Sequence, residues 1–341
     1  MIYPNNLEKP YKIGVTATSE GFTKDTDINR LERGIRHFKE MGYPVIETSN
    51  VRTNIKGRSS DGATRAKELM DLVKNSDVRV IFAVSGGNYL VEMLPYLDYE
   101  LIRSNPTWIQ GYSDTTGLTF TITTNLDIAT ISGGNFSNFG MDKWHSSLDK
   151  NIRILEGANI SQESFELFQD GFTKKITGLE GFELTKKVEW KNLYPINTQA
   201  SEIYMSGRAL GGNLDVLLTL VGTKYDKTKE FIDKYKQDGI VWFLESYDLN
   251  SEALTRGLWQ LREAGWFEYA KGFIFGRPAM YDSFIDATYE EVVMSVLGQF
   301  DIPIILDADI GHKPPQIAMI NGAMVKITSR DGKGNITFER R

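Results

Sequence analysis

Acyl transfer needs a nucleophile lifted clear of the backbone, and the chain offers one in Gly111-Tyr112-Ser113-Asp114. Ser113 stands between a predicted strand through Trp108-Ile109 and a predicted helix from about Thr115. This is the setting of a nucleophile elbow, in which a tight turn raises the hydroxyl above a sheet and the next backbone N–H faces developing negative charge. Thr115 replaces the second glycine of the usual G-x-S-x-G, and serines also cap helices, so the turn by itself does not decide the matter. A serine also needs a base, and only His37, His145 and His312 are available. His37 falls inside an amphipathic helix and His145 in a polar connector. His312 instead follows the apolar strand end Ile304-Ile305-Leu306, in the loop Asp307-Ala308-Asp309-Ile310-Gly311-His312-Lys313-Pro314-Pro315, and function concentrates in loops at strand ends.

The remaining member of such a set is a carboxylate that holds the imidazole tautomer and stabilises the imidazolium. Glu245 ends the apolar strand Val241-Trp242-Phe243-Leu244, where a charge is costly unless it points into a polar site. Asp248, Asp307 and Asp309 compete for the same role. For the oxyanion, Ser85-Gly86-Gly87-Asn88 closes a buried strand and opens a helix, so its N–H groups can face an anion, with Asp114 N–H as a second donor. Glycine pairs in such turns also cradle phosphates, although the spacing fits neither G-x-G-x-x-G nor a P-loop.

Composition narrows the classes. Cysteine is absent, which excludes disulfides, thiolate metal sites and cysteine nucleophiles, and no further histidines gather around His312 to suggest a metal. A formal charge of −6 over 341 residues, with no concentrated basic face, argues against nucleic acid as a partner. The amino terminus lacks the pattern of a secretory signal, and no apolar run approaches the ~20 residues that span a bilayer. A cytoplasmic protein without a membrane partner is expected.

The elements that must position these residues alternate between strand and helix. In the first half, Ile13–Thr16, Val45-Ile46, Val78–Val84, Trp108-Ile109 and Ile128–Ile131 read as strands. Helices carry Ile28, Leu31, Ile35 and Phe38, then Ala66, Leu69, Met70 and Val73, then Leu90, Met93, Leu94 and Leu97. Such units imply right-handed crossovers and a parallel sheet. After a weaker stretch, strands recur at Ile240–Leu244, Phe273–Phe275, Ile304 and Val325, with a helix after Gly211-Gly212-Asn213, another over Leu254–Ala264, and a hairpin at Asp331-Gly332-Lys333-Gly334. The expected fold is α/β: a flavodoxin/Rossmann-like parallel-sheet domain over 1–145, a connector and active-site loop over 146–200, and a carboxyl-terminal α/β domain of the swivelling β/α type over 201–341.

With these residues in place, the chain resembles the LD-carboxypeptidase family of serine peptidases nearly end to end, and its length and connector resemble the branch of the microcin C resistance peptidases. The resemblance is carried by Ile81–Leu97, Gly111-Tyr112-Ser113-Asp114, Leu210-Gly211-Gly212-Asn213-Leu214, Glu245 and Asp309-Ile310-Gly311-His312, in the family's order of Ser, Glu, His. It implies a homodimeric hydrolase using neither metal nor cofactor. Ser113 would be its nucleophile, His312 its base and Glu245 the orienter, with Gly86 and Asp114 forming the oxyanion hole and Gly87, Trp190 and Asn213 binding substrate. Trp190 would stack on a nucleobase, or else anchor packing. The substrate would be a small peptide or a peptidyl- or aminoacyl-nucleotide, as in the microcin branch, or a murein tetrapeptide losing D-alanine. The long interval between Ser113 and Glu245 favours the microcin branch; the lack of any Lys or Arg between Glu245 and Arg256 speaks against an aspartyl carboxylate being met there. Two readings from other classes stand beside these, a non-catalytic two-lobed binding protein and a nucleotide-dependent enzyme with Gly86-Gly87 as phosphate cradle.

Overall fold

Alternating apolar strands and one-sided helices fold into two units in the computed structural model, which describes residues 1–193 and 201–340. The end of the expected connector, 194–200, lies outside the described residues. One unit comprises Met1–Ala158 and Phe172–Phe182; the other comprises Asn159–Gly171 and the chain from Glu183 onward.

The first unit is built on β1 (Lys12–Thr16), β2 (Val45–Glu47), β3 (Val78–Ala83), β4 (Trp108–Gly111) and β5 (Thr130–Ser132), with helices α1 (Asp25–Glu40), α2 (Gly62–Lys74), α3 (Tyr99–Ser104), α4 (Thr116–Leu126) and α5 (Ser146–Leu155). All of its strand pairings are parallel, and the strands lie in the order β5-β4-β3-β1-β2. Read from the other edge this is the flavodoxin-like order, which reverses direction between β1 and β3 and opens a crevice at the carboxyl ends of those strands. Burial on both faces explains why β3 is continuously apolar from Val80 to Ala83 rather than alternating. Phe38 of α1 packs against Phe82, Phe136 and Phe139 with ring centroids 6.0, 5.5 and 5.3 Å away. From the same helix the buried Arg30 guanidinium donates to the carbonyls of Ser137, Gly178 and Glu180, which ties the returning segment Phe172–Phe182 to the unit. The helix expected through Leu90 and Leu94 forms. It is a 3-10 helix, Leu90–Tyr96, and Pro95 within it has no N–H to donate to an α-helical ladder.

The second unit adds β6 (Ser161–Glu163), the small ribbon of β7 (Leu167–Phe168) and β8 (Lys186–Lys187), β9 (Lys191–Leu193), β10 (Glu202–Asn213), α6 (Leu214–Leu220), α7 (Thr228–Lys234), β11 (Ile240–Glu245), α8 (Ser251–Glu263), β12 (Ala270–Gly276), α9 (Tyr289–Leu297), β13 (Ile304–Ala308), β14 (Met319–Asn321), β15 (Met324–Arg330) and β16 (Lys333–Glu339). Its main sheet runs β6-β16-β15-β10-β11-β12-β13-β9. The four central strands are parallel, and the flanking ones join antiparallel. All four parallel strands therefore end at one edge, where Asn213, Glu245, Gly276 and Ala308 stand. The hairpin forms at Asp331-Gly332, both at positive φ, as a two-residue turn matched to strand twist requires. Among the described residues no helix is long and apolar enough to cross a membrane.

Trp242, fully buried in β11, lies 5.8 Å from the Trp266 ring and 5.3 Å from that of Phe267. Removing so large a core ring leaves a cavity, so Trp242→Ala is expected to cost about 3–5 kcal/mol. Chemical denaturation of the purified variant measures this, and a loss below about 1 kcal/mol would contradict the packing.

Candidate active site

In the first unit the functional turns gather at strand ends. β4 closes at Gly111, and Ser113 follows with φ of +63°, a left-handed conformation that costs a non-glycine residue about 1–3 kcal/mol. A single 3-10 turn, Ser113–Thr115, then leads into α4. The surroundings hold this strain in place. Tyr112 N–H donates to Asn135 Oδ1 at 3.1 Å, and a Cβ on Gly111 would come within 2.7 Å of that same oxygen. A Cβ on Gly86 would stand 2.9 Å from both Cβ and Oγ of Ser113, so only glycine lets the turn after β3 lie against the hydroxyl.

Asp114 binds these turns together through its side chain. Its buried carboxylate accepts Leu90 N–H at 2.9 Å and interacts with the Ser19 hydroxyl, while Ser19 Oγ accepts Tyr89 N–H at 3.1 Å. Burial pushes the Asp114 carboxyl above its ordinary range; the hydrogen bonds from Ser19, Leu90 and Tyr89 and the charge of Arg65 oppose that push. Gly87, at φ of +145°, leaves no room for a side chain, since a Cβ there would meet Ser19 Oγ at 2.3 Å.

In the second unit the carboxyl edge of the sheet brings a histidine and a carboxylate together. His312 Nδ1 and Glu245 Oε2 are 2.7 Å apart, with side chains only 7% and 6% exposed. In the neutral ring this bond puts the proton on Nδ1 and leaves the lone pair on Nε2, the arrangement a general base requires. Glu245 Oε1 accepts from Asn213 Nδ2 at 2.9 Å, and Asn213 Oδ1 caps α6 by accepting Val216 N–H at 3.1 Å. Register explains the contact, because Asn213 and Glu245 are paired positions at the ends of β10 and β11. Gly311, at φ of +87°, is required on contact grounds too, since a Cβ there would lie 2.7 Å from Glu245 Oε2. Burial alone would lower the His312 pKa, but the charge and hydrogen bond of Glu245, with a contribution from Asp215, raise it above the ordinary value.

The competing carboxylates have other occupations. Asp307 pairs with Lys191 at 2.9 Å, and Asp248 is exposed on the turn beyond Glu245. Asp309 is fully buried, ion-paired with Arg277, and accepts Trp190 Nε1 at 3.1 Å and Phe165 N–H at 3.0 Å. Trp190 is thereby buried inside its unit, so close to Gly334 that a Cβ there would meet the indole at 2.0 Å. Of the other histidines, His37 bonds the Phe139 carbonyl and His145 caps α5. Three residues close to these side chains escaped the sequence reading: Asn135, Arg277 and Asp215. For Arg277 a signal existed, a charge directly after the apolar strand Phe273–Gly276; for the other two there was none. Among the described residues no group of three or more His, Asp or Glu side chains is arranged to hold a metal ion.

Family models carry the decision on kinship. The LD-carboxypeptidase N-terminal domain matches residues 13–133, and the LD-carboxypeptidase C-terminal domain matches residues 206–327. The chain belongs to the LD-carboxypeptidase family. It is thus a hydrolase of a peptidase family, as the resemblance implied. A putative carboxypeptidase of Vibrio cholerae is 26% identical over 99% of this chain and 96% of its own length. The microcin C7 self-immunity protein MccF of Escherichia coli is 25% identical over 94% of this chain and 92% of its own. An MccF-like protein from Bacillus anthracis superimposes with a TM-score of 0.83 at 26% identity, covering 100% of both chains. These matches bear out the fold class, an amino-terminal parallel-sheet domain followed by a second α/β domain.

If the charge of Glu245 is what raises the His312 pKa, Glu245→Gln leaves burial with less opposition and the ring must titrate at lower pH than in the unaltered protein. Nuclear magnetic resonance of the imidazole Cε1–H against pH reads this directly. An unchanged midpoint would show that the 2.7 Å contact carries no charge interaction.

Proposed function

We propose that this LD-carboxypeptidase family member is a serine carboxypeptidase-type hydrolase that cleaves an amide bond of a small peptide or of a peptidyl- or aminoacyl-nucleotide. The buried Glu245–His312 bond carries the reading, because it sets the tautomer a serine hydrolase needs, whereas His37 bonds a backbone carbonyl and His145 caps a helix. In the reaction Ser113 Oγ attacks the scissile carbonyl and His312 Nε2 takes its proton. The oxyanion receives the N–H groups of Gly86 and Asp114, each such donor being worth on the order of 10²–10³ in kcat. Nε2 returns the proton to the leaving amine, and water then hydrolyses the acyl-enzyme by the same route. Glu245 steadies the imidazolium throughout, and Asn213 steadies Glu245. Gly87 lines the substrate approach. The resemblance to the family adds a cytoplasmic homodimer that uses neither metal nor cofactor.

For the substrate, likeness favours the microcin branch. MccF has been solved in complex with aspartyl sulfamoyl adenosine, at TM-score 0.81 and 25% identity to this chain, whereas a muramoyltetrapeptide carboxypeptidase from Oxalobacter formigenes reaches 0.72 at 19%. An acidic aminoacyl group joined to a nucleoside is therefore the substrate class proposed. One observation keeps the murein reading beside it, the absence of any Lys or Arg between Glu245 and Arg256 to meet an acidic side chain.

Purified protein given an aspartyl-adenylate amide and an L,D-linked murein tetrapeptide in parallel should release an aspartyl product from the first. Release of D-alanine alone would transfer the assignment to murein. Ser113→Ala should lower kcat by on the order of 10⁶ and abolish labelling by a fluorophosphonate. A variant that keeps its turnover, or a wild type that merely binds these compounds, would end the serine-hydrolase reading. Gly86→Ala, which forces a methyl group against Ser113 Oγ, should lower kcat far more than it alters the denaturation midpoint.

A further inference from the structure

The mechanism above leaves one carboxylate beside His312 without a task. Asp215 lies in the first turn of α6, two residues beyond the Asn213 that holds Glu245, and it is half-buried. Its two oxygens accept the backbone N–H groups of Tyr247 at 2.8 Å and Asp248 at 3.1 Å. Those residues form the turn that leaves β11 immediately after Glu245. The clamped turn in its place sets Tyr247 against the histidine, with ring centroids 4.8 Å apart at 56°.

We infer that Asp215 is a positioning residue for the catalytic histidine, a second carboxylate that fixes the Tyr247 turn against the His312 ring and adds its charge to that of Glu245. This rests on the serine-hydrolase reading for its catalytic meaning, though not for its geometry. A short helix thereby supports both halves of the imidazole's environment. Asn213 orients the carboxylate at Nδ1, and Asp215 orients the aromatic wall on the ring.

The other charges of this unit around the pair are accounted for. Glu245 ends β11, Asp248 shares the Tyr247 turn, and Tyr289 reaches in from α9, where its phenol feels both Glu245 and Asp215. On the loop of His312, Asp307, Asp309 and Lys313 are each engaged in ion pairs, with Lys191, Arg277 and Asp170. Burial, then the hydrogen bond with the Asp248 side chain, moves Asp215 up to about 6, against the lowering effect of the Tyr247 and Asp248 N–H groups. Asp215 therefore exchanges its proton in the range where a histidine ordinarily does, and its charge is felt at the His312 ring. Above this range Asp215 is charged and favours the imidazolium. As the pH falls through it, Asp215 is neutralised and that support is withdrawn.

The test compares Asp215→Asn with the unaltered protein. Asparagine keeps an oxygen for the turn but carries no charge. With three histidines in the chain, the His312 Cε1–H resonance is assigned by its loss in His312→Gln. The expected result is a titration of His312 that moves to lower pH in Asp215→Asn, with the acid limb of kcat/KM moving the same way. Asp215→Glu, which restores charge, should bring the wild-type curve back in part. A purely structural role would change kcat or stability and leave the His312 curve where it was. An unmoved curve in a variant that still turns over through Ser113 overturns this inference alone. Turnover that survives Ser113→Ala overturns the serine-hydrolase reading, and with it the catalytic role claimed for Asp215, whatever the curve does.

Discussion

A buried carboxylate against a buried imidazole is the constraint on which the second unit is organised. Leaving either charge unpaired away from water would cost several kcal/mol, and Asn213 and Gly311 help keep the two in contact. Glu245 spends one oxygen on His312 and the other on Asn213, and Asn213 in turn caps the helix that follows it. Gly311 is glycine because any side chain would occupy the space of the carboxylate. Substituting one of these residues therefore disturbs a set rather than a pair.

The sheet makes this economical. Four adjacent parallel strands deliver their last residues to a single edge, so Asn213, Glu245, Arg277 and the loop of His312 come together although they span a hundred positions of sequence. Arg277 and Asp309 extend the same principle one layer outward. Their ion pair, joined by Trp190 and Phe165, pins the start of the loop whose later residues include His312. The first unit uses its own strand ends in the same way, with the turns after β1, β3 and β4 tied through Ser19, Asp114 and Leu90. There the stored feature is conformational rather than electrostatic. Ser113 adopts a left-handed backbone, with Gly86 packed against its side chain and Asn135 holding the Tyr112 N–H beside it.

Much of this was legible in the chain itself. Alternating apolar strands and one-sided helices determined an α/β fold with a parallel sheet, since period and length are local properties of sequence. Only three histidines and no cysteine narrowed the chemistry, and the turn at Ser113 and the loop at His312 stood out because charged or polar residues at the ends of apolar strands need a reason. The residues by themselves left several carboxylates open and only the family resemblance pointed to Glu245; the contact itself is a matter of tertiary structure. Asp248, Asp307 and Asp309 stood as competitors to Glu245 in sequence, and what sets Glu245 apart in space is strand register, with Lys191 and Arg277 engaging Asp307 and Asp309. Tertiary structure alone gave Asn135 and Asp215 their places and turned Trp190 inward, because hydrogen bonds between residues far apart in the chain leave no periodic trace along it.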